Sequence, residues 1–310
     1  MSLLVLGTVA FDTIETPYGK ADRIVGGAGT YVVWAASQFY QNIKLVSVIG
    51  EDYPQSELDA LQNRGVNLDA LEKRVGEKSF FWAGRYHNNM NSRDTLITEL
   101  NVLENYSPKL PAGLADDVQY LMLGNFAPAV QMQLLEQLPK RPKLVVMDTM
   151  NFWMDIALED LKKVLKKVDV LTINDEEARQ LSGEHSVMKA AQLILEMGPS
   201  TLIIKKGEHG ALLFNKDEKF YVPALPLEEV FDPTGAGDSF AGGFIGYLAK
   251  TGGTSFEDMK RALVYASVTA SYCVEKFGPT RLQELQPQDI EARTKQFISL
   301  MNVDMTKNTL

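Results

Sequence analysis

The stretch of this sequence that most restricts the fold is Phe231-Asp232-Pro233-Thr234-Gly235-Ala236-Gly237-Asp238-Ser239-Phe240-Ala241-Gly242-Gly243. A turn of small residues leads here into positions whose apolar side chains recur at helical spacing, namely Ala241, Phe244, Ile245 and Leu248. At the start of a helix, unpaired backbone N–H groups and the helix dipole favour an anion, and glycines let a phosphate approach the backbone. The pattern therefore predicts an anion site at the N–H groups of Gly235, Ala236 and Gly237.

Asp238 follows this turn directly, although a carboxylate beside a bound phosphate costs electrostatic free energy. The position makes chemical sense if the carboxylate takes the proton from a hydroxyl group that attacks the phosphorus. The alternative is an ordinary acid in the first turn of a helix, which caps backbone N–H groups. In the context Asp-x-Thr-Gly-Ala-Gly-Asp, we predict that Asp238 is the catalytic base of a phosphoryl transfer.

Short apolar segments alternate along the chain with segments of helical period, which is typical of a mainly parallel sheet covered by helices. The predicted strands are residues 3–6, 45–49, 120–123, 144–147, 170–173, 202–204 and 211–214. The predicted helices are residues 56–62, 129–138, 158–166, 188–197, 239–249, 256–275 and 287–300, and residues 302–310 are expected to fray. We therefore expect one α/β domain spanning residues 1–310.

Two segments, residues 13–25 and 78–103, break this alternation because they are rich in Thr, aromatic and β-branched residues. They read as extended strands with no crossover helix between them, so we predict a small separate sheet inserted in the domain. Beside the rim of the main sheet it would form a lid that keeps water from a reactive phosphate. Arg85 and Arg93 of this lid are candidates for contacts with phosphate or substrate. Its exposed strand edges suggest a homodimer formed through the lid.

Polar residues also follow four of the predicted strands, at Asp12, Asn125, Asp148 and Asn174. In open α/β sheets the carboxyl ends of the strands form the ligand crevice. The alternative is that such residues simply begin turns. Because four of them share one rim, the pattern favours a binding site there.

The segment from Asp232 to Phe240 closely resembles the C-terminal signature of the ribokinase, or PfkB, family of carbohydrate and nucleoside kinases. Further elements resemble the family in its own order, namely Gly7-x4-Asp12, Gly26-Gly27-Ala28-Gly29, Asn174-Asp175-Glu176-Glu177-Ala178 and Lys206-Gly207-Glu208-His209-Gly210. The C-terminal signature is specific by itself, and the others corroborate it. The resemblance implies a ribokinase-like three-layer α/β fold with a β-sheet lid. It also implies transfer of the γ-phosphoryl group of ATP, with Mg²⁺, to a hydroxyl of a small sugar.

The resemblance assigns roles on the acceptor side of the site. Asp238 would deprotonate the acceptor hydroxyl, while the amides of Gly235, Ala236 and Gly237 stabilise charge on the transferred group. The implied acceptor-binding residues are Asp12, Gly26, Gly27 and Tyr31. At Tyr31 the sequence departs from the family, which usually has an asparagine that contacts sugar hydroxyls. A tyrosine could stack on a ring or narrow the pocket, so a nucleoside such as adenosine, inosine or guanosine is an alternative acceptor.

On the nucleotide side, the resemblance implies that Asn174 and Glu177 hold Mg²⁺ through water, since Mg²⁺ loses its hydration shell reluctantly. Without the family, the same pair would be a helix N-cap and its capping-box partner, and both interpretations are open. The other implied nucleotide contacts are Lys206, Gly207, Gly210 and Thr234. The alternative interpretation of Gly207 and Gly210 is a β-hairpin turn. Asp232 is the candidate ligand for a monovalent cation such as K⁺.

Composition restricts the partners and the compartment. The 31 basic and 40 acidic residues give a net charge of −9, which disfavours binding to nucleic acid or to an anionic membrane. Cys273 is the only cysteine, which excludes an intramolecular disulfide and a Cys-based zinc site. The N-terminal segment reads as a strand rather than a signal peptide, so the cytoplasm is the expected location.

Other nucleotide-binding patterns do not occur. The P-loop pattern Gly-x4-Gly-Lys-Ser/Thr is absent from the sequence, and neither Gly27-x-Gly29 nor Gly235-x-Gly237 continues into a dinucleotide-binding motif. From a different class, the chain could be a non-catalytic nucleotide- or sugar-binding regulatory protein. The presence of both Asp238 and the glycine turn favours a catalyst.

Overall fold

The computed structural model describes residues 1–302. Of the segment that is expected to fray, residues 303–310 lie outside the described residues. The strands are β1 (Ser2–Leu6), β2 (Ala10–Thr16), β3 (Gly19–Gly26), β4 (Ile43–Gly50), β5 (Val66–Arg74), β6 (Phe80–Tyr86), β7 (Arg93–Glu99), β8 (Val118–Leu123), β9 (Leu144–Asp148), β10 (Val170–Asn174), β11 (Thr201–Lys205), β12 (Ala211–Phe214) and β13 (Lys219–Val222). The helices are α1 (Ala28–Ala36), α2 (Gln55–Asn63), α3 (Pro128–Glu136), α4 (Asn151–Ile156), α5 (Leu158–Leu165), α6 (Asp175–Ser182), α7 (Val187–Glu196), α8 (Ala236–Thr251), α9 (Phe256–Cys273), α10 (Thr280–Glu284) and α11 (Pro287–Met301). Within residues 1–302, no helix is both long and apolar enough to cross a membrane.

Nine strands form one sheet in the order β13-β12-β11-β10-β9-β8-β1-β4-β5. The neighbours from β11 to β5 pair in parallel, whereas β12 and β13 fold back antiparallel at one edge. All seven predicted strands belong to this sheet, and their bounds differ from the observed ones by at most two residues. The prediction of a mainly parallel sheet is therefore confirmed.

Helices cover both faces of this sheet. Side chains alternate along β1, so that Leu3 and Val5 lie in the core beneath α1, α8 and α9, whereas Leu4 and Leu6 lie in the core beneath α3, α5 and α7. The central strands read as unbroken apolar segments because both of their faces are buried. These layers agree with the three-layer α/β fold that the resemblance implies.

A second sheet of four strands, in the order β3-β2-β6-β7, corresponds to the two segments of the predicted lid. Its central pair, β2 and β6, is parallel, and the outer strands pair with it antiparallel. The first lid strand begins at Ala10, earlier than the predicted residue 13, so Asp12 lies inside a strand and not in a turn after β1. The lid therefore carries an acceptor-side candidate within its own sheet.

Several elements escaped the sequence patterns, each for a physical reason. All nine residues of α1 are buried, so this helix has no polar face to produce an amphipathic period. The edge strand β5 buries only Val66 and Ala70, and its other residues include helix-favouring Leu, Glu and Lys. Its strand conformation depends on pairing with β4, which the local sequence does not encode.

Candidate active site

The glycine turn opens α8 as the sequence predicts. Gly235 has a φ of +75°, and a β-carbon there would also lie 2.3 Å from the Tyr31 ring, so only glycine fits. Within residues 1–302, the N–H groups of Gly235 and Gly237 donate to no protein acceptor. The Ala236 N–H, by contrast, donates to the Pro233 carbonyl at 3.2 Å. The turn therefore offers an anion two uncommitted donors rather than the three expected.

Asp238 lies in the first turn of α8 and is partly buried. Burial and the nearby Asp148 carboxylate raise its pKa to about 6, while Lys205 and Arg93 act in the opposite direction. A carboxylate with this pKa is ionised at neutral pH and accepts a proton more readily than an ordinary aspartate. The raised pKa of Asp238 therefore suits proton abstraction near neutral pH.

Asp12 lies on β2 and is only 4% exposed. The Gly27 N–H is close enough to lower the pKa of this carboxyl group, and a β-carbon on Gly26 would lie 1.9 Å from Oδ2 of Asp12. Burial, together with the neighbouring Asp232, raises the pKa of Asp12 to about 7. The absence of a side chain on Gly26 thus leaves the space that this carboxylate occupies.

Tyr31 lies on α1 beneath the glycine turn and is 1% exposed. Its ring packs against Gly235, and within residues 1–302 its hydroxyl has no hydrogen-bond partner. A ring buried in this way presents no open face to a ligand. Of the two interpretations given above, narrowing of the site fits this placement, and stacking on a base does not.

Asn174 and Glu177 form a capping box at the start of α6. The Asn174 side chain accepts from the Glu177 N–H at 2.8 Å, and Oε2 of Glu177 accepts from the Asn174 N–H at 2.8 Å. Oε1 of Glu177 takes no part in this box. Burial raises the pKa of Glu177 to about 7, with Asp148 adding to it and Lys205 opposing it.

This pair fits Mg²⁺ chemically. Oε1 of Glu177 is a hard oxygen donor, and a nearby cation would relieve the cost of burying the charged carboxylate. Among residues 1–302, no three His, Cys, Asp or Glu side chains are arranged as a metal cluster. That arrangement is compatible with Mg²⁺ because the ion keeps most of its water and is held mainly by phosphates.

The turn between β11 and β12 is a hairpin, as the second interpretation of its glycines predicts. Gly207 and Gly210 have φ values of +54° and +82°, and the Lys206 N–H donates to the Gly210 carbonyl at 2.8 Å. A β-carbon on Gly207 would lie 2.6 Å from Oδ1 of Asn91, which is at the tip of the lid. The lid tip therefore meets the side of the site at which the nucleotide is expected.

Asp232 is 1% exposed and joins two loops. Its Oδ1 accepts from the Thr234 N–H at 2.8 Å, and its Oδ2 accepts from the Gly278 N–H at 2.9 Å. The Thr234 hydroxyl in turn donates to the hydroxyl of Tyr86 on lid strand β6 at 3.2 Å. The glycine turn is thus connected to both the lid and the loop that follows α9.

The two lid arginines have different surroundings. Arg85 makes an exposed ion pair with Glu15, at 2.9 Å from Nε to Oε1. The Arg93 guanidinium lies 5.6 Å from the centre of the Trp82 ring and 6.0 Å from that of Tyr86. Arg93 is close enough to the site to lower the pKa of both Asp12 and Asp238. Of the two, only Arg93 affects the carboxyl groups of the site, whereas Arg85 is paired with Glu15.

Two residues of this site were not assigned a role from the sequence. Asp148 ends β9 and Lys205 ends β11, and Nζ of Lys205 lies 3.0 Å from Oδ2 of Asp148. Asp148 had a signal, because it follows a predicted strand at the binding rim. Lys205 directly follows the predicted strand 202–204 and so had the same signal, but its contact with Asp148 depends on the packing of separate strands in the folded sheet.

Comparison with known proteins supports the resemblance. Residues 2–285 match the family model described as pfkB family carbohydrate kinase. The chain belongs to the pfkB family. Among curated pfkB-family relatives, it is 30% identical to the cytidine kinase of Thermococcus kodakarensis over 251 residues, which covers 79% of this chain and 87% of that protein.

Solved structures of similar fold are kinases as well. One is the nucleoside kinase of Burkholderia thailandensis in complex with inosine, with a TM-score of 0.77, 21% identity, and coverage of 96% of this chain and 99% of that one. Another is a putative ribokinase II from E. coli in complex with ATP and Mg²⁺, with a TM-score of 0.76, 20% identity, and coverage of 95% and 99%. The predicted ribokinase-like fold is confirmed. This pfkB-family protein is an ATP-dependent kinase that phosphorylates an alcohol group of a sugar or a nucleoside.

Proposed function

We propose that this pfkB-family kinase phosphorylates a sugar hydroxyl carried by a nucleoside. The 30% identity with a cytidine kinase supports a nucleoside, and so does the similarity of fold to an inosine-bound nucleoside kinase. A free pentose is the second candidate, because a putative ribokinase has a nearly equal TM-score. The observation that carries the proposal is the pair of carboxylates beside the glycine turn, of which Asp12 is buried and Asp238 partly buried.

The proposed chemistry assigns a task to each of these groups. Asp12 accepts a hydrogen bond from an acceptor hydroxyl and so orients the sugar. Asp238 takes the proton from the attacking hydroxyl, whose oxygen forms a bond to the γ-phosphorus as the bond to the ADP oxygen breaks. The N–H groups of Gly235 and Gly237 donate to the transferred group as its charge redistributes. The nucleotide would lie along Lys206, Gly207, Gly210 and Thr234.

Metal ions would complete the site. Asn174 and Glu177 would hold Mg²⁺ through water, and the ion would neutralise charge on the phosphates.

For K⁺ we keep the prediction at Asp232. Its two carboxylate oxygens already accept hydrogen bonds from backbone N–H groups, and their remaining lone pairs would bind the ion. Activity in K⁺ should then exceed activity in tetramethylammonium at equal ionic strength. Equal rates in the two salts would remove the K⁺ assignment.

The organisation of the molecule is also a proposal. We treat residues 1–310 as one kinase domain with inserted lid segments, and we expect two copies to associate through the lid. We expect the protein in the cytoplasm, where ATP is the available phosphoryl donor.

The test is ADP release from Mg·ATP across a panel of nucleosides, pentoses and hexoses. Asp238→Asn is compared with Asp258→Asn, because Asp258 occupies the same third position in the first turn of α9 and lies beside Gly253, at the opposite end of α8 from the glycine turn. One acceptor should stimulate the wild type and Asp258→Asn, while Asp238→Asn loses at least ~10²-fold in kcat and still binds ATP. An unchanged kcat in Asp238→Asn would remove the base assignment. ATP binding without turnover across the panel would favour the regulatory alternative.

A further inference from the structure

The ion pair between Lys205 and Asp148 lies at the glycine turn and has no role in the chemistry described so far. Nζ of Lys205 is 3.0 Å from Oδ2 of Asp148, and their side chains are 16% and 8% exposed. A β-carbon placed on Gly237 would lie 3.1 Å from the same Nζ atom. The ammonium group is therefore in contact distance of the turn that carries the uncommitted N–H donors.

The ion pair leaves hydrogen-bond donors of the Lys205 ammonium group without an acceptor within residues 1–302. Oδ1 of Asp148 accepts from the Thr149 N–H at 2.9 Å, and its Oδ2 accepts from Lys205, which fixes the carboxylate at the end of β9. A lysine ammonium has three donors, and within residues 1–302 Lys205 donates only to Asp148. Two charged donors are thus available next to Gly237.

Burying such a pair costs free energy that the pair alone rarely recovers. Burial lowers the pKa of Lys205, but Asp148, Glu177 and Asp238 together raise it above its ordinary value, so the ammonium is charged. A fixed positive charge beside backbone N–H donors is the arrangement that stabilises a phosphoryl group in transfer.

We propose that Lys205 is a further catalytic residue that donates to the transferred phosphoryl group beside Gly237, and that Asp148 is the residue that positions it. This inference rests on the proposed phosphoryl transfer. The ammonium supplies charge and hydrogen bonds, and it gains or loses no proton in the step. The Lys205 ammonium would contact the γ-phosphoryl group of ATP. ADP lacks this group, so the contact would be absent when ADP is bound.

A purely electrostatic role is the main alternative. Lys205 lowers the pKa of Asp238, so its only function could be to keep the base ionised. In that case, removal of the ammonium would raise the pKa of Asp238 and move the acid limb of the rate profile to higher pH. The plateau of kcat above that limb would be unchanged. A phosphoryl contact predicts the reverse, which is a lower plateau.

The experiment compares Lys205→Met with Lys44→Met. Lys44 forms an ion pair with Asp117 at the opposite end of the strands, and its side chain is 12% exposed whereas that of Asp117 is 44% exposed. Titration calorimetry with non-hydrolysable ATP and with ADP, both with Mg²⁺, measures the contact without an acceptor. Lys205→Met should weaken ATP binding by at least ~10-fold and ADP binding by less than ~3-fold, whereas Lys44→Met should change neither.

Kinetics with the acceptor completes the test. Lys205→Met should lower the plateau kcat by ~10²-fold, and Lys205→Arg should recover part of it. Asp148→Asn should keep ADP affinity and lower kcat by a smaller factor, which tests the site even if Lys205→Met folds poorly. Equal weakening of ATP and ADP, or an unchanged plateau with a shifted acid limb, would overturn the assignment. Because the calorimetry needs no acceptor, a silent acceptor panel would contradict the proposed function without deciding the role of Lys205.

Discussion

The titration of Asp238 connects a single side chain to the pH dependence of the reaction. Its pKa is raised to about 6 by burial and by Asp148, and the base must be ionised to accept a proton. We therefore expect kcat to be constant above pH 7 and to fall about tenfold for each pH unit below about 6. A kcat–pH profile under conditions in which chemistry limits the rate measures this. An acid limb near pH 4 would show that burial does not perturb this carboxylate.

Asp12 illustrates a conflict between stability and function. Its pKa is about 7 in the folded protein and 3.8 as the reference value, so folding favours its protonated form. The stability that this group contributes is present at low pH and is lost as the pH rises from about 4 through about 7. Asp12→Asn should therefore raise the Tm of the nucleotide-free protein at pH 8, with a gain that shrinks towards pH 4. It should also weaken acceptor binding.

Thermal unfolding of the wild type and Asp12→Asn at several pH values tests this, and Asp22→Asn on the exposed strand β3 is the control. Asp22→Asn should show no such pH-dependent gain. A Tm for Asp12→Asn that is equal to or below that of the wild type at pH 8 would contradict the expected cost of the buried charge.

At the scale of elements, α8 is flanked at both ends by a glycine of nearly the same conformation. Gly235 has a φ of +75° and Gly252 a φ of +73°, but a β-carbon on Gly235 would collide with the ring of Tyr31, whereas one on Gly252 would meet nothing within 4 Å. Alanine at either position should cost ~1 kcal/mol from backbone strain. Gly235→Ala should in addition displace the turn and reduce kcat/KM by at least ~10²-fold. Gly252→Ala should keep full activity.

Stability and kinetics of the two variants separate these effects. If both lose Tm equally and both remain active, the turn is not the site of phosphoryl binding.

The lid adds a second element-scale feature, because it contacts the site at separate points through Tyr86 and Asn91. Such contacts bring the lid against both the glycine turn and the hairpin of the nucleotide side.

At the scale of the whole molecule, the outer lid strand is the feature that a second copy could cover. Every residue of β7 is exposed, and Leu96, Ile97 and Leu100 are each about half exposed. An unpaired strand edge with apolar side chains favours association between chains. Ile97→Lys should therefore shift the protein from dimer to monomer in sedimentation velocity, whereas Leu193→Lys on α7 should not. A wild type that is monomeric at micromolar concentration would contradict the lid dimer.

The sequence was informative wherever the determining residues are neighbours along the chain. The glycine turn, Asp238, the capping box of Asn174 and the apolar strands could all be predicted, because backbone geometry and local hydrogen bonding set them. The helix α1 and the strand β5 could not, since complete burial in one case and an exposed edge in the other remove the periodic signal. The position of Tyr31 under Gly235 also required the packed structure.

The family and the chemistry of the kinase were determined by the sequence itself, because a phosphate-binding turn followed by a base is a short contiguous motif. Only the tertiary structure decided which charged groups meet. Asp12, Asp148, Lys205 and Asp238 come from different strands and helices. Burial raises the pKa values of the three carboxyl groups, whereas it lowers that of Lys205, which the neighbouring carboxylates raise. Desolvation and charge–charge interaction depend on distances through space, which residue order alone does not contain.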